Sequence, residues 1–229
     1  MKKTIPIVYF QGKAVLLDDT GFLSSMEDFL KAERHQILGF NTVAKALKRC
    51  KKSTKLSVLL PIDGILPEEV EGNAIELYVK RIVEISKSDK RDDVIPVVIA
   101  DYDMPEMDGI SFFKEINDKQ SHKILLTGVA DEKMAIKAFN EGIIDFYIQK
   151  GNPNLFNNLS QAIRKGREKY FRNESKAPID VIKKNEPDCL VTSEEYYNFL
   201  QRQIERDNIC EYYLIEGSRK KVRKFSVGV

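Results

Sequence analysis

Five times along this 229-residue chain a short apolar run gives way to a stretch with helical periodicity. That alternation constrains the fold more than any other feature. The central run, Val94-Ile95-Pro96-Val97-Val98-Ile99-Ala100, is β-branched and bounded by charge before it and proline after it. Such a run reads as a strand buried on both faces, as in a parallel sheet. Ala14-Val15-Leu16-Leu17, Gln36-Ile37-Leu38-Gly39-Phe40, Lys123-Ile124-Leu125-Leu126 and Asp145-Phe146-Tyr147-Ile148-Gln149 supply four more strands. Between and after them lie amphipathic stripes such as Phe22, Met26, Phe29 and Leu30, or Leu155, Leu159 and Ile163. Strands that alternate with helices predict right-handed crossovers and a parallel α/β sheet.

Four of these strands end on side chains able to do chemistry: Asp18-Asp19, Asp101, Thr127 and Lys150. In an open parallel sheet all four ends lie along one edge, where such folds bind ligands. Each residue also has an ordinary reading. Asp101 could cap the next helix, Thr127 could do the same, Tyr147 is a common strand former, and Lys150 taken singly is a solvated lysine. Asp108 before Gly109 fits a helix cap or a turn better than a metal ligand. The joint position of the four ends carries the functional reading.

Three carboxylates drawn together repel one another, and a hard divalent cation resolves that repulsion. Mg²⁺ takes a few carboxylate or carbonyl oxygens and keeps room for phosphate oxygens. A lysine and a hydroxyl beside it complete a phosphoryl cradle, in which a carboxylate can act as a nucleophile. The chemistry expected is Mg²⁺-assisted phosphoryl transfer onto an aspartate.

Asp18-Asp19, the run from Asp101 through Asp103-Met104-Pro105 to Asp108-Gly109, Thr127 and Lys150 resemble the signature of the response-regulator receiver domain of two-component signalling. The resemblance covers residues 13–171 apart from an insertion. It implies a flavodoxin-like (βα)5 doubly wound parallel sheet of strand order 2-1-3-4-5. It makes Asp101 the phosphoacceptor, facing a sensor histidine kinase or a phosphotransfer protein. It gives Asp18, Asp19, Asp101 and the backbone carbonyl of Asp103 to Mg²⁺, and Lys150 to the phosphoryl group. Thr127 and Tyr147 become the switch pair, and the helix over 131–141, the strand at Tyr147 and the helix after Asn154 become the output face. On this reading the chain is a phosphoacceptor and not an enzyme. Two departures stand out: Gly151 follows Lys150 where the family usually has proline in cis, and Val129 lies two residues past Thr127.

The division expected is a receiver over 1–172 with an insertion at about 53–93, then a small extension over 173–229. Within the insertion, 55–62 has strand-like content, Pro67-Glu68-Glu69 suggests a helix start, and Ile75, Val79, Ile82 and Val83 form a helical stripe. The charged stretch 86–93 reads as a loop. Residues 173–187 are charged, contain Pro178 and read as a linker or capping segment. A helix from Ser193 with Tyr196, Phe199, Leu200 and Ile204 on one face, a strand at 211–215 and a returning strand at 222–227 give a helix plus hairpin. This extension docks on the receiver, builds a homodimer or meets a downstream protein.

Charge and cysteine use narrow the classes. A formal net charge of +2, with basic residues spread along the chain, argues against nucleic acid. The cluster Lys220, Lys221, Arg223 and Lys224 reads as a solvated hairpin edge. Three cysteines without CxxC spacing suit a reducing cytoplasm and neither a disulfide framework nor a zinc site. The apolar opening, broken by Pro6, is too short for a signal peptide, and no run reaches the ~20 apolar residues of a membrane span. Two further classes compete. A haloacid-dehalogenase-like phosphatase also uses an Asp-x-Asp, here Asp101-Tyr102-Asp103, but carries its acidic pair last in the chain. A pseudo-receiver keeps the shape and works without phosphate.

Overall fold

The computed structural model describes residues 5–18, 21–56, 74–128, 130–185, 193–207 and 209–214. Contacts within the chain divide it into two units: residues 12–53 with 93–170, and residues 1–11 with 54–92 and 171–229.

The first unit is the α/β sheet that the alternation predicts. Its strands are β2 (Ala14–Leu17), β3 (Ile37–Phe40), β4 (Val97–Asp101), β5 (His122–Thr127) and β6 (Phe146–Gln149), in spatial order β3-β2-β4-β5-β6. All four pairings are parallel. Counted within the unit, this is order 2-1-3-4-5. Because side chains alternate along a strand, the sheet has two apolar faces. On one, Val15, Leu17, Val98, Ala100 and Leu125 pack with α2 (Val43–Lys51), α4 (Gly109–Ile116) and α5 (Glu132–Asn140). On the other, Ala14, Leu16, Val97, Ile99, Ile124 and Leu126 pack with α1 (Phe22–Ala32) and α6 (Leu155–Glu174). Covering both faces explains why these strands read as continuous apolar runs.

The second unit differs from the sequence expectation in three places. Its β1 (Val8–Tyr9) pairs antiparallel with β7 (Tyr212–Tyr213), and the rings of Tyr9 and Tyr212 stack with centroids 5.4 Å apart. The strand expected at 211–215 is thus shorter and takes an amino-terminal partner; the returning strand at 222–227 lies outside the described residues. As far as residue 185 the expected linker is helical instead: α6 runs to Glu174 and α7 spans Lys176–Asn185. Pro178 falls in the first turn of α7, where its missing N–H costs no intrahelical bond. The stretch 86–93 ends in a 3₁₀ helix, Asp89–Asp93, instead of a plain loop.

The insertion's helical stripe does form α3 (Ala74–Ser86), with Ile82 and Ile85 buried. The expectations for 57–62 and for a helix start at Pro67 lie outside the described residues. By contact the insertion and residues 1–11 group with the carboxy-terminal segment. A side-chain cluster ties the insertion to that segment: the Arg91 guanidinium donates to Glu211 and to the Tyr213 hydroxyl (2.8 Å), which itself donates to Glu211 (2.6 Å). The helix expected from Ser193 is α8 (Glu194–Arg206); Ser193 Oγ accepts from the Tyr196 N–H at 3.2 Å, as a cap does.

Candidate functional site

Strand register assembles the site. Leu17 lies beside Ala100, Asp101 beside Leu126, and Thr127 beside Gln149. One residue further along β2 and β6 brings Asp18 and Lys150 to the same carboxyl edge. Backbone bonds hold the exits: Asp18 N–H donates to Phe40 O (3.2 Å), Tyr102 N–H to Leu126 O (2.8 Å) and Lys150 N–H to Thr127 O (2.9 Å).

The Lys150 ammonium sits between two buried carboxylates, 2.7 Å from Asp101 Oδ2 and 2.9 Å from Asp18 Oδ2. Asp18 and Thr127 are fully buried and Asp101 is 3% exposed. One positive charge against two negative ones leaves the cluster a charge short. Burial is the largest influence on Asp101 and pushes its carboxyl above the usual carboxylate range; Lys150 opposes this, and the Asp18 charge reinforces it. Burial disfavours the Lys150 ammonium as well, but the two carboxylates outweigh it and hold the lysine above its ordinary value.

Tight packing closes the floor. Gly109 N–H donates to Tyr102 O at 3.0 Å, and a Cβ at Gly109 would fall 2.3 Å from the Asp101 carbonyl oxygen. Glycine is therefore what lets the loop fold back over the strand end. The Asp-Gly pair signalled a turn in the sequence without revealing that contact. Asp108 is a helix cap, as its ordinary reading says: Oδ1 accepts from Ser111 N–H (2.9 Å) and Oδ2 from Ser111 Oγ (2.7 Å).

The other predicted residues are placed as follows. The Thr127 hydroxyl donates to Gly128 O at 3.0 Å. Tyr147 is partly buried against the face formed by α2, α4 and α5. Asp103 is exposed on the loop after β4, and Asp19 and Val129 lie outside the described residues. Among the described residues no cis peptide bond occurs, so Gly151 follows Lys150 in trans, and no group of three or more metal-type side chains gathers. The donor set nonetheless suits a hard cation: two buried carboxylate groups share one ammonium, and divalent ions such as Mg²⁺ favour oxygen ligands.

The fold and this edge of the sheet define a class, a doubly wound domain with an acidic site at its topological switch point. A family model described as "response regulator receiver domain" matches residues 79–164, and the chain carries that domain. Receivers are the phosphoacceptors of signalling. Over 79 residues the chain is 37% identical to the C4-dicarboxylate transport transcriptional regulatory protein DctD of Rhizobium meliloti (strain 1021), a match covering 34% of this chain and 16% of that protein. The solved response regulator LqsR of Legionella pneumophila is 31% identical, with a TM-score of 0.63, over 93% of this chain and 62% of LqsR. This chain thus spans under two thirds of LqsR and a small part of DctD. A structure described as adenylate cyclase from Rhodopirellula baltica shares the fold at 19% identity and a TM-score of 0.53, covering 74% of this chain and 97% of that one. No described helix is long and apolar enough to cross a membrane.

Proposed function

We propose that Asp101 accepts a phosphoryl group from the phosphohistidine of a sensor kinase or phosphotransfer protein. One observation carries the reading: Lys150 bridges Asp101 and Asp18 at the edge where the strand register delivers them. An Asp101 oxygen attacks phosphorus, the N–P bond breaks, and the departing imidazole takes a proton. Lys150 is then placed to leave Asp18 and follow the phosphoryl oxygens. Asp18, Asp19, Asp101 and the Asp103 carbonyl would hold Mg²⁺, which supplies positive charge to those oxygens when bound.

Thr127 couples the site to a surface. Its hydroxyl would exchange the Gly128 carbonyl for a phosphoryl oxygen, and Tyr147 would turn inward to fill the space. Next to it, α5 exposes Met134 (46%), Ile136 (42%) and Phe139 (48%), an apolar stretch that suits protein contact. We assign residues 12–53 and 93–170 to phosphoryl acceptance and to the output face it switches, and the other unit to a further protein contact, in a cytoplasmic pathway.

The experiment is phosphorylation by acetyl phosphate with and without Mg²⁺. The wild type becomes labelled and needs the ion; Asp101→Asn does not become labelled. Steady turnover of a small phosphate ester, lost in Asp103→Asn, would instead make the protein a phosphatase.

A further inference from the structure

On the far side of β6 from α5, a groove of about 570 Å³ runs between the strand and α6. Among the described residues the sheet order ends at β6, and no described strand pairs with its outer backbone edge. Edge strands are usually blunted by a charged side chain or proline. Phe146-Tyr147-Ile148-Gln149 carries neither. Phe146 is 45% exposed and, with Ile148, forms an apolar floor. Gln149 and Gln161 add amides able to meet a peptide backbone. The charge in the wall has one sign: Lys165 and Lys169 line the groove, and no carboxylate does among the described residues. Lys169 reaches out of it to Asp145 at 2.6 Å, which leaves the Lys165 ammonium as the main attraction for an anion.

We propose that this groove binds an extended acidic peptide segment of a partner protein, which adds a strand to β6. Backbone bonds would come from the open edge, an alternate apolar side chain would seat on Phe146, and the acidic side chains would face Lys165. The proposal deepens the output face by naming its partner chemistry and rests on that reading to this extent. Its test does not pass through Asp101, so either idea can fail without the other.

The probe is a fluorescein-labelled alternating valine–glutamate octapeptide, followed by anisotropy against the full chain. Wild type and Asp101→Asn should both bind saturably. Phe146→Asp and Lys165→Glu should each weaken binding at least tenfold while keeping the wild-type thermal melt; Lys165→Gln should fall between. A probe N-methylated at alternate residues, or one with lysine replacing glutamate, should not bind. The proposal is overturned by no binding to wild type, by equal binding of the N-methylated or lysine probe, or by binding that neither variant changes. Self-association that Phe146→Asp abolishes, without probe binding, would assign the groove to a second copy of this chain and overturn it too.

Discussion

Asp101 and Asp145 stand at opposite ends of the same sheet and teach different lessons. Asp101 closes β4 at the carboxyl edge; Asp145 precedes β6 at the amino edge. Burial acts against both charges. At Asp145 it is outweighed: the carboxylate lies near His122 (3.5 Å), accepts from Lys169 (2.6 Å) and from the Lys123 N–H (3.0 Å), and is held well below the usual range. At Asp101 it wins, because Lys150 is shared with Asp18. A saturated carboxylate locks two strands together; an under-compensated one is left ready for an incoming cation and electrophile.

Four substitutions and one titration test that contrast, from the largest expected effect down. Lys150→Met should slow phosphorylation by acetyl phosphate about 100-fold, or about 2.7 kcal/mol in the barrier, in a time course of label uptake. Asp145→Asn should leave that rate within about twofold but lower unfolding stability by roughly 2 kcal/mol in urea, since the groups around it lose a charged acceptor. Gly109→Ala should cost roughly 1–3 kcal/mol and slow labelling, because its methyl collides with the Asp101 carbonyl and with Leu125 (2.8 Å). Asp101→Asn should stabilise the fold by about 1 kcal/mol, since it relieves repulsion with Asp18. A loss of stability there would end the distinction between the two aspartates.

The titration concerns His35. Burial first, then Arg167 and Arg164, lower its pKa from 6.5 to about 3; its ring contacts Ser160 Oγ at 2.9 Å and Arg167 at 3.4 Å. The folded state therefore binds fewer protons there than the unfolded chain between pH 3 and 6.5. Stability is complete above the unfolded value and falls as pH drops through that window. His35→Gln should flatten the fall in Tm between pH 7 and pH 5.

The sheet was legible because its strands are buried on both faces and so appear as apolar runs between helical stripes. The candidate site was legible for the same reason: a strand that ends on Asp101, or runs straight into Asp18 or Lys150, delivers that side chain to a known edge. What the sequence concealed depended on partners far along the chain. Two residues, Val8 and Tyr9, have no periodicity to read, and their strand exists because Tyr212 and Tyr213 pair with it. Pro178 suggested a break where it begins a helix. The closeness of Gly109 to the Asp101 carbonyl and the sharing of Lys150 between two acids are facts of register, which composition does not encode.

The central claim is that the Asp101 carboxylate itself takes the phosphoryl group. Borohydride reduces an acyl phosphate, so treating the acetyl phosphate-labelled protein and mapping its peptides by mass spectrometry locates the bond. Asp101 converted to homoserine, with Asp18, Asp103 and Asp145 unchanged, is the predicted result. Conversion at another carboxylate, or label that survives in Asp101→Asn, would contradict it.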